Sequence, residues 1–482
     1  MFYFIKERKR RMGIDSAAIE KLVYSVVKEM VRENHLNKKP PGEFLNANDA
    51  VEAAWIAQQR LGVMPIEKRE DLIAAIREAA VANAQLLAEM AVKESGMGRA
   101  ADKIIKNKIA ALKTPGTIDL KTDAFSGDKG LTIVEMAPFG VICAITPATN
   151  PVATIINNGI SMLAAGNSVV FCPHPSLKET SRKTLEILNN AIIMAGGPEN
   201  LLSYVAEPGI KIVEELMQHE KIRLIVATGG PGVVKAVLKS GKKAIGAGAG
   251  NPPVIVDATA DLDKAAKSIV DGATFDNNLP CIAEKAVFAL GSIADILKSK
   301  MLKNDAVEVK GIELKKLEEL VLTRDETGDG TVRYAPNKQY IGKDAAFILD
   351  KIGIKVHQSI RGIIAEVDVT HPFVTEELMM PILPLVQVKD IDTAISMAVK
   401  VEHGYRHTAV IHSKNVDNMT RFAKAIQTTL FVKNAPSYAG IGIGGEGFTT
   451  FTIAGPTGEG LTSARSFTRQ RRCVLVDAFS IV

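Results

Sequence analysis

One cysteine in the stretch DNNLPCIAEK, residues 276–285, follows a proline and three polar residues, although the chain has only four cysteines in 482 residues. Cysteine suits carbonyl chemistry because its thiolate adds readily to an electrophilic carbon and later departs readily. Cys281 precedes an apolar run, at a turn where backbone N–H groups lack partners and a thiolate can meet a substrate. Loop cysteines are more often inert than catalytic, and spacing alone leaves both readings open. Cys143 in VICAI, Cys172 ending VVFC and Cys473 in RRCVLV read instead as buried small hydrophobes. With no CxxC pair and no Cys/His cluster at ligand spacing, the thiols are expected to be free and no metal site is expected.

Glycine-rich segments could receive a phosphate. ATGGPGVVKAV, residues 227–237, follows an apolar run and opens a helical one, so its amides could meet a pyrophosphate at a helix N-terminus. A tight strand-to-helix turn is the equal alternative. GIGIGGEG, residues 440–447, opens no helix and fails the dinucleotide test. Asn150, in the proline-bounded TPATNP, reads on sequence alone as turn chemistry, and Glu377 as a solvated acid.

The elements that must position these residues alternate strand and helix. VICAI (141–145), SVVF (168–171), LLSYV (201–205) and LIVA (224–227) read as buried strands, with helices predicted near 155–165, 178–195, 210–218 and 233–240. A second set runs from PPVIVD (252–257) through predicted strands at 285–290, 362–367, 383–388 and 408–412, with helices at 263–275, 293–303, 392–401 and 416–427. This rhythm implies two doubly wound parallel sheets that bind ligands at the carboxyl ends of their strands. Residues 47–113 read as helical. The segments 117–136 and 464–478 read as stray strands of the kind that pair with a neighbouring subunit. Residues 304–360 are assigned no chemistry.

Composition excludes several classes. The formal charge of +5 comes from basic clusters at the two ends, and with 5% aromatic residues the body lacks the basic, aromatic-laced stripe of a nucleic-acid surface. No run of about 18 apolar residues suggests a membrane span. In the opening MFYFIKERKRRMG the apolar run precedes the charges, the reverse of a secretory signal, and Met1 and Met12 are both candidate starts. Ile19, Leu22, Val23, Val26, Val27 and Met30 then mark one face of a helix within 1–33, followed by a Pro/Gly linker at 34–44. Such a helix either docks on its own body or serves as a detachable peptide for another protein.

The stretches APFGVICAITPATNP (137–151), PHPS (173–176), ATGGPGVVKA (227–236), GAGAGNPPVIVD (246–257), DNNLPCIAEK, EELMMPILPLV (376–386), GYRHTAVIHS (404–413) and GPTGEGLTSARSFTRQRRCVLV (455–476) run in one order. Together they resemble the aldehyde dehydrogenase superfamily, and within it the CoA-acylating propionaldehyde and acetaldehyde dehydrogenases of bacterial microcompartments. The resemblance implies two Rossmann-like α/β domains plus a β-strand oligomerisation arm. Dinucleotide binding falls at 45–251, with 117–136 in the arm, the nucleophilic cysteine at 252–440, and a return to the cofactor domain and arm at 441–482. It implies Cys281 as nucleophile and Asn150 as oxyanion donor. Cofactor contacts are implied at Thr146, Pro147, His174, Thr228, Gly229, Gly230, Gly248 and Glu377, the last holding the nicotinamide ribose. NAD is favoured, NADP remains open because PHPS lacks a nearby acid, and coenzyme A is the acyl acceptor.

One departure from the hydrolytic relatives is informative. Those enzymes carry a glutamate base in an ELGG-like segment, whereas GAGAGN stands here and no carboxylate occurs between Lys243 and Asp257. A hydrolytic aldehyde or semialdehyde dehydrogenase is therefore the disfavoured alternative. Glutamyl-phosphate-type reductases are more distant, and a catalytically silent microcompartment cargo or scaffold is argued against by Cys281 and Asn150. The resemblance further implies a homodimer or homotetramer, and an N-terminal helix similar to the encapsulation peptides that bind shell proteins. That would place the enzyme in the cytoplasm, inside a microcompartment.

Overall fold

The computed structural model describes residues 39–326 and 332–481; the predicted helix at 1–33 and the first part of the linker lie outside them. The linker's last residues, Glu43–Phe44, form a short edge strand beside Leu202–Val205.

Residues 47–113 fold into four helices, Ala47–Gly62, Ile66–Ala82, Ala84–Ser95 and Ala100–Lys113. The first sheet is six-stranded and parallel, in the order Glu43–Phe44, Leu202–Val205, Ser168–Cys172, Val141–Ile145, Ile222–Thr228, Lys243–Ala247. From Val141–Ile145 the chain steps outward in one direction, then returns to the other side with Ile222–Thr228. That reversal opens a crevice at the carboxyl ends of the two strands, just beyond Ile145 and Thr228.

VICAI is apolar throughout because both its faces are covered. Ile142 and Ala144 pack with helix Pro151–Ala164, while Val141, Cys143 and Ile145 pack with helix Ala47–Gly62. Each such side chain stabilises the fold by about 1.5–3 kcal/mol when removed from water.

The second parallel sheet has seven strands, in the order Ala306–Glu308, Gly362–Glu366, Ile382–Val388, Ala286–Leu290, Pro253–Val256, Thr408–His412, Leu430–Lys433. Between its strands the segment 312–351 adds helix Ile312–Val321, the hairpin Leu322–Glu326 with Val332–Pro336, and helix Ala345–Lys351.

A third sheet stands outside both. Strands Asp123–Gly127, Gly130–Pro138 and Thr468–Val476 pair antiparallel within the chain, with Gly130–Pro138 in the centre. Cys473 lies on an outer strand of this arm and is exposed, which corrects its reading as a core residue. The apolar run RRCVLV resembles a core strand locally, but it extends the arm rather than either sheet.

Candidate active site

Cys281 follows helix Leu262–Thr274 through a turn in which three successive residues, Asp276, Asn277 and Asn278, take positive φ of 48°, 55° and 66°. Asp and Asn tolerate this region better than other non-glycine residues, and here buried side-chain bonds hold each of them. Asp276 accepts from Lys103 Nζ at 2.9 Å, from the Arg99 N–H at 2.7 Å, and from Lys106 Nζ. Asn277 Nδ2 donates to the Gly342 carbonyl and to Asp344, both at 2.9 Å. Asn278 Nδ2 donates to the carbonyls of Ala273 and Glu284, and its Oδ1 accepts from Lys285 Nζ at 2.7 Å. The polar run before the cysteine is therefore the set of anchors that fixes the loop of Cys281.

Asn150 sits at the start of helix Pro151–Ala164, yet its side chain does not cap that helix. Its Oδ1 instead accepts from Lys106 Nζ at 2.6 Å, while Nδ2 makes only a 3.3 Å contact with Thr149 Oγ1. The turn reading of this amide is thus replaced by one in which its acceptor end is occupied and its donor end is weakly held. Lys106 links Asn150 to the loop of Cys281.

Cys281 is partly exposed. Crowding by protein pushes its thiol up to about 12, an effect that Glu377 reinforces, while Lys285, its own backbone N–H and Lys106 oppose it. These surroundings disfavour the thiolate, unlike the ready thiolate expected of an open loop. Lys285 Nζ stands 3.8 Å from Glu377. Burial also raises the Glu377 carboxyl, against Lys285 and a hydrogen bond from the Gly250 N–H. His407 is buried, and burial with the Lys285 charge pushes it down to about 4, so its ring is neutral. At Gly250 the walls meet: an added Cβ would lie 2.6 Å from the Cys281 carbonyl oxygen and 3.0 Å from His407 Cγ.

The crevice of the first sheet gathers most of the expected cofactor residues. Thr146 and Pro147 directly follow Val141–Ile145, Thr228 ends Ile222–Thr228, and Gly230 is the N-cap of helix Pro231–Leu238. Among the described residues Thr146 Oγ1 is buried with no hydrogen-bond partner, and apart from its chain neighbours nothing lies within 4 Å of where a Gly230 Cβ would stand. An orphaned hydroxyl and an open glycine turn at a sheet reversal fit a dinucleotide. Thr228 Oγ1 is paired with Thr452 Oγ1 at 2.9 Å. Gly248 follows Lys243–Ala247 on the same rim. His174 follows Ser168–Cys172 but turns Nδ1 onto its own Ser176, 2.8 Å from Oγ. Glu377 lies close enough to Cys281 to act on its thiol.

Lys106, Asp276, Lys285 and His407 were not singled out from sequence. A signal for the first exists: Lys103, Lys106 and Ala110 share the inward face of helix Ala100–Lys113, where lysine is unusual. Among the described residues no group of three His, Cys, Asp or Glu is placed to hold a metal, and no helix is long and apolar enough to cross a membrane.

A crevice fit for a dinucleotide, a partly exposed cysteine on an anchored loop and an amide with a weakly held donor end are the parts of an oxidoreductase that can work through a covalent adduct on sulfur. The chain belongs to the aldehyde dehydrogenase family, whose profile matches residues 24–311 and 361–451. It is 51% identical over 443 residues to acetaldehyde dehydrogenase (acetylating) EutE of Escherichia coli strain K12, covering 92% of this chain and 94% of that protein. A structure of Rhodopseudomonas palustris propionaldehyde dehydrogenase with bound CoA and an acylated cysteine superposes with TM-score 0.88 at 53% identity, covering 92% of this chain and 99% of the other. A propionaldehyde dehydrogenase from the Clostridium phytofermentans fucose utilisation bacterial microcompartment also gives 0.88 and 53%, covering 92% and 100%.

Proposed function

We propose that this enzyme oxidises a short-chain aldehyde, propionaldehyde or acetaldehyde, to the acyl-CoA with reduction of NAD, through a thioester on Cys281. The observation that carries the reading is the GAGAGN wall. A side chain at Gly250 would collide with the Cys281 carbonyl and His407, and the segment supplies no carboxylate to activate water. Glu377, the carboxylate coupled to the sulfur, is engaged by Lys285 and the Gly250 N–H.

The Cys281 sulfur bonds to the aldehyde carbon as its proton leaves, and the carbonyl oxygen gains charge opposite the Asn150 amide and the Cys281 N–H. Oxyanion donors of this kind contribute roughly 3 kcal/mol each. When bound, the nicotinamide cofactor supplies the hydride acceptor. Residues Thr146, Pro147, His174, Thr228, Gly229, Gly230, Gly248 and Glu377 would hold it. Loss of hydride from that oxyanion restores the carbonyl and leaves the acyl group on sulfur. The thiol of coenzyme A then attacks that carbonyl, and the acyl–Cys281 bond breaks to regenerate the thiol.

We assign 45–251 to dinucleotide binding and 252–440 to the cysteine. The exposed arm suits assembly into a homodimer or homotetramer, and residues 1–33 suit a shell-protein ligand that would place the enzyme in a microcompartment. NADH formation from propionaldehyde with and without CoA, for the wild type and Cys281→Ala, tests the chemistry. Activity is expected only in the wild type with CoA, and sustained NADH formation in CoA-free buffer would count against acyl transfer. A fluorescent protein fused to residues 1–40 should form puncta in a cell making the shell; diffuse signal would refute the encapsulation reading.

A further inference from the structure

We propose that Lys106 is a positioning residue for the oxyanion donor: its buried ammonium holds the acceptor end of the Asn150 amide, leaving Nδ2 as the end that meets the substrate oxygen. The proposal rests on the reading of Asn150 given above.

An asparagine amide presents a donor and an acceptor of almost the same shape, so only its partners decide which end faces the reaction. An ammonium has donors alone and can bond only to Oδ1. Lys106 Nζ lies 2.6 Å from Oδ1, and the side chain is 2% exposed, so water does not compete for the contact. The weak 3.3 Å contact of Nδ2 with Thr149 Oγ1 can be exchanged for a substrate oxygen without loss of a strong bond.

Lys106 is more than the fold's electrostatics require. Asp276 already has Lys103 Nζ at 2.9 Å, itself buried, and the Arg99 N–H at 2.7 Å. Asp102, the neighbouring acid, receives Arg361 Nη2 at 3.2 Å and the Asp276 N–H at 2.9 Å. Burying a second ammonium against one satisfied carboxylate is unfavourable unless it gains another partner. That partner is Asn150. Because Asp276 lies five positions before Cys281 in the anchored loop, the same ammonium registers the oxyanion donor against the nucleophile. Its charge also acts on the sulfur, in the direction that favours thiolate.

The test is a double-mutant cycle of Lys106→Met and Asn150→Ala in the full-length enzyme, reading kcat and aldehyde KM with NAD and CoA saturating. Lys106→Met alone is expected to lower kcat about 10- to 100-fold, with KM within about threefold, and Asn150→Ala to lower kcat about 100-fold. Combined, they should fall well short of the product of the two single losses, since most of the lysine's effect runs through the amide. Lys106→Gln, which retains an N–H donor, should recover part of the loss. Melting temperatures identify misfolding; where the methionine variant does not fold, the glutamine variant takes its place in the cycle under the same criterion. Multiplying losses, or an unchanged kcat in Lys106→Met, would overturn the proposal. An unchanged kcat in Asn150→Ala would overturn it by removing the oxyanion reading beneath it, and an inactive wild type would instead remove the proposed reaction.

Discussion

Cys281 combines a demanding chemical role with surroundings that keep it protonated. Crowding and Glu377 push its thiol up to about 12, against Lys285 and Lys106. The sign is definite: a raised thiol value means less thiolate at neutral pH, so reactivity should climb as pH rises. Below the value of about 8 to which burial lowers Lys106, iodoacetamide inactivation of the ligand-free enzyme should accelerate about tenfold per pH unit, and a plateau in that range would show a preformed thiolate. The polar, proline-bounded setting singles this cysteine out in sequence, but only the family resemblance gives it the part of nucleophile. The state of its proton is not legible there, because it depends on Lys106, Lys285 and Glu377, which lie up to 175 positions away in the chain.

At the scale of elements, the nucleophile's loop is held by parts remote in sequence. Asn277 reaches Gly342 and Asp344, and Arg99 and Lys103 reach Asp276. Asn277→Ala removes two hydrogen bonds and places alanine at a φ of 55°. It should destabilise the protein by about 1–3 kcal/mol and lower kcat, read by thermal unfolding and steady-state rates; unchanged values would mean the segment around 342–344 does not support the site. The alternation of buried strands and helices is readable because VICAI, SVVF and LIVA are unbroken apolar runs. Lys243–Ala247 and Leu430–Lys433 were missed because edge strands are short and carry lysine. The hairpin and helices of 312–351 were missed because they interrupt the strand-helix rhythm.

At the scale of the whole molecule, the arm is the surface least explained by a single chain. Phe125, Val474 and Val476 are 61%, 55% and 67% exposed on its three-stranded sheet. Isolated small sheets are marginal in water, and apolar side chains on an outer strand invite a partner. Removing residues 468–482 should convert the assembly to monomers by native mass spectrometry; an unchanged oligomer, or a wild type that is itself monomeric, would contradict the role given to the arm. Lys106 ties Asn150, past the end of a first-sheet strand, to the loop of Cys281, and the GAGAGN segment brings no carboxylate. The most direct measurement is mass spectrometry of the enzyme incubated with propionaldehyde and NAD in the absence of CoA. A propionyl adduct confined to the peptide containing Cys281, lost with formation of propionyl-CoA when CoA is added, is the expected result. An adduct elsewhere, none at all, or steady release of propionate without CoA would contradict acyl transfer through Cys281.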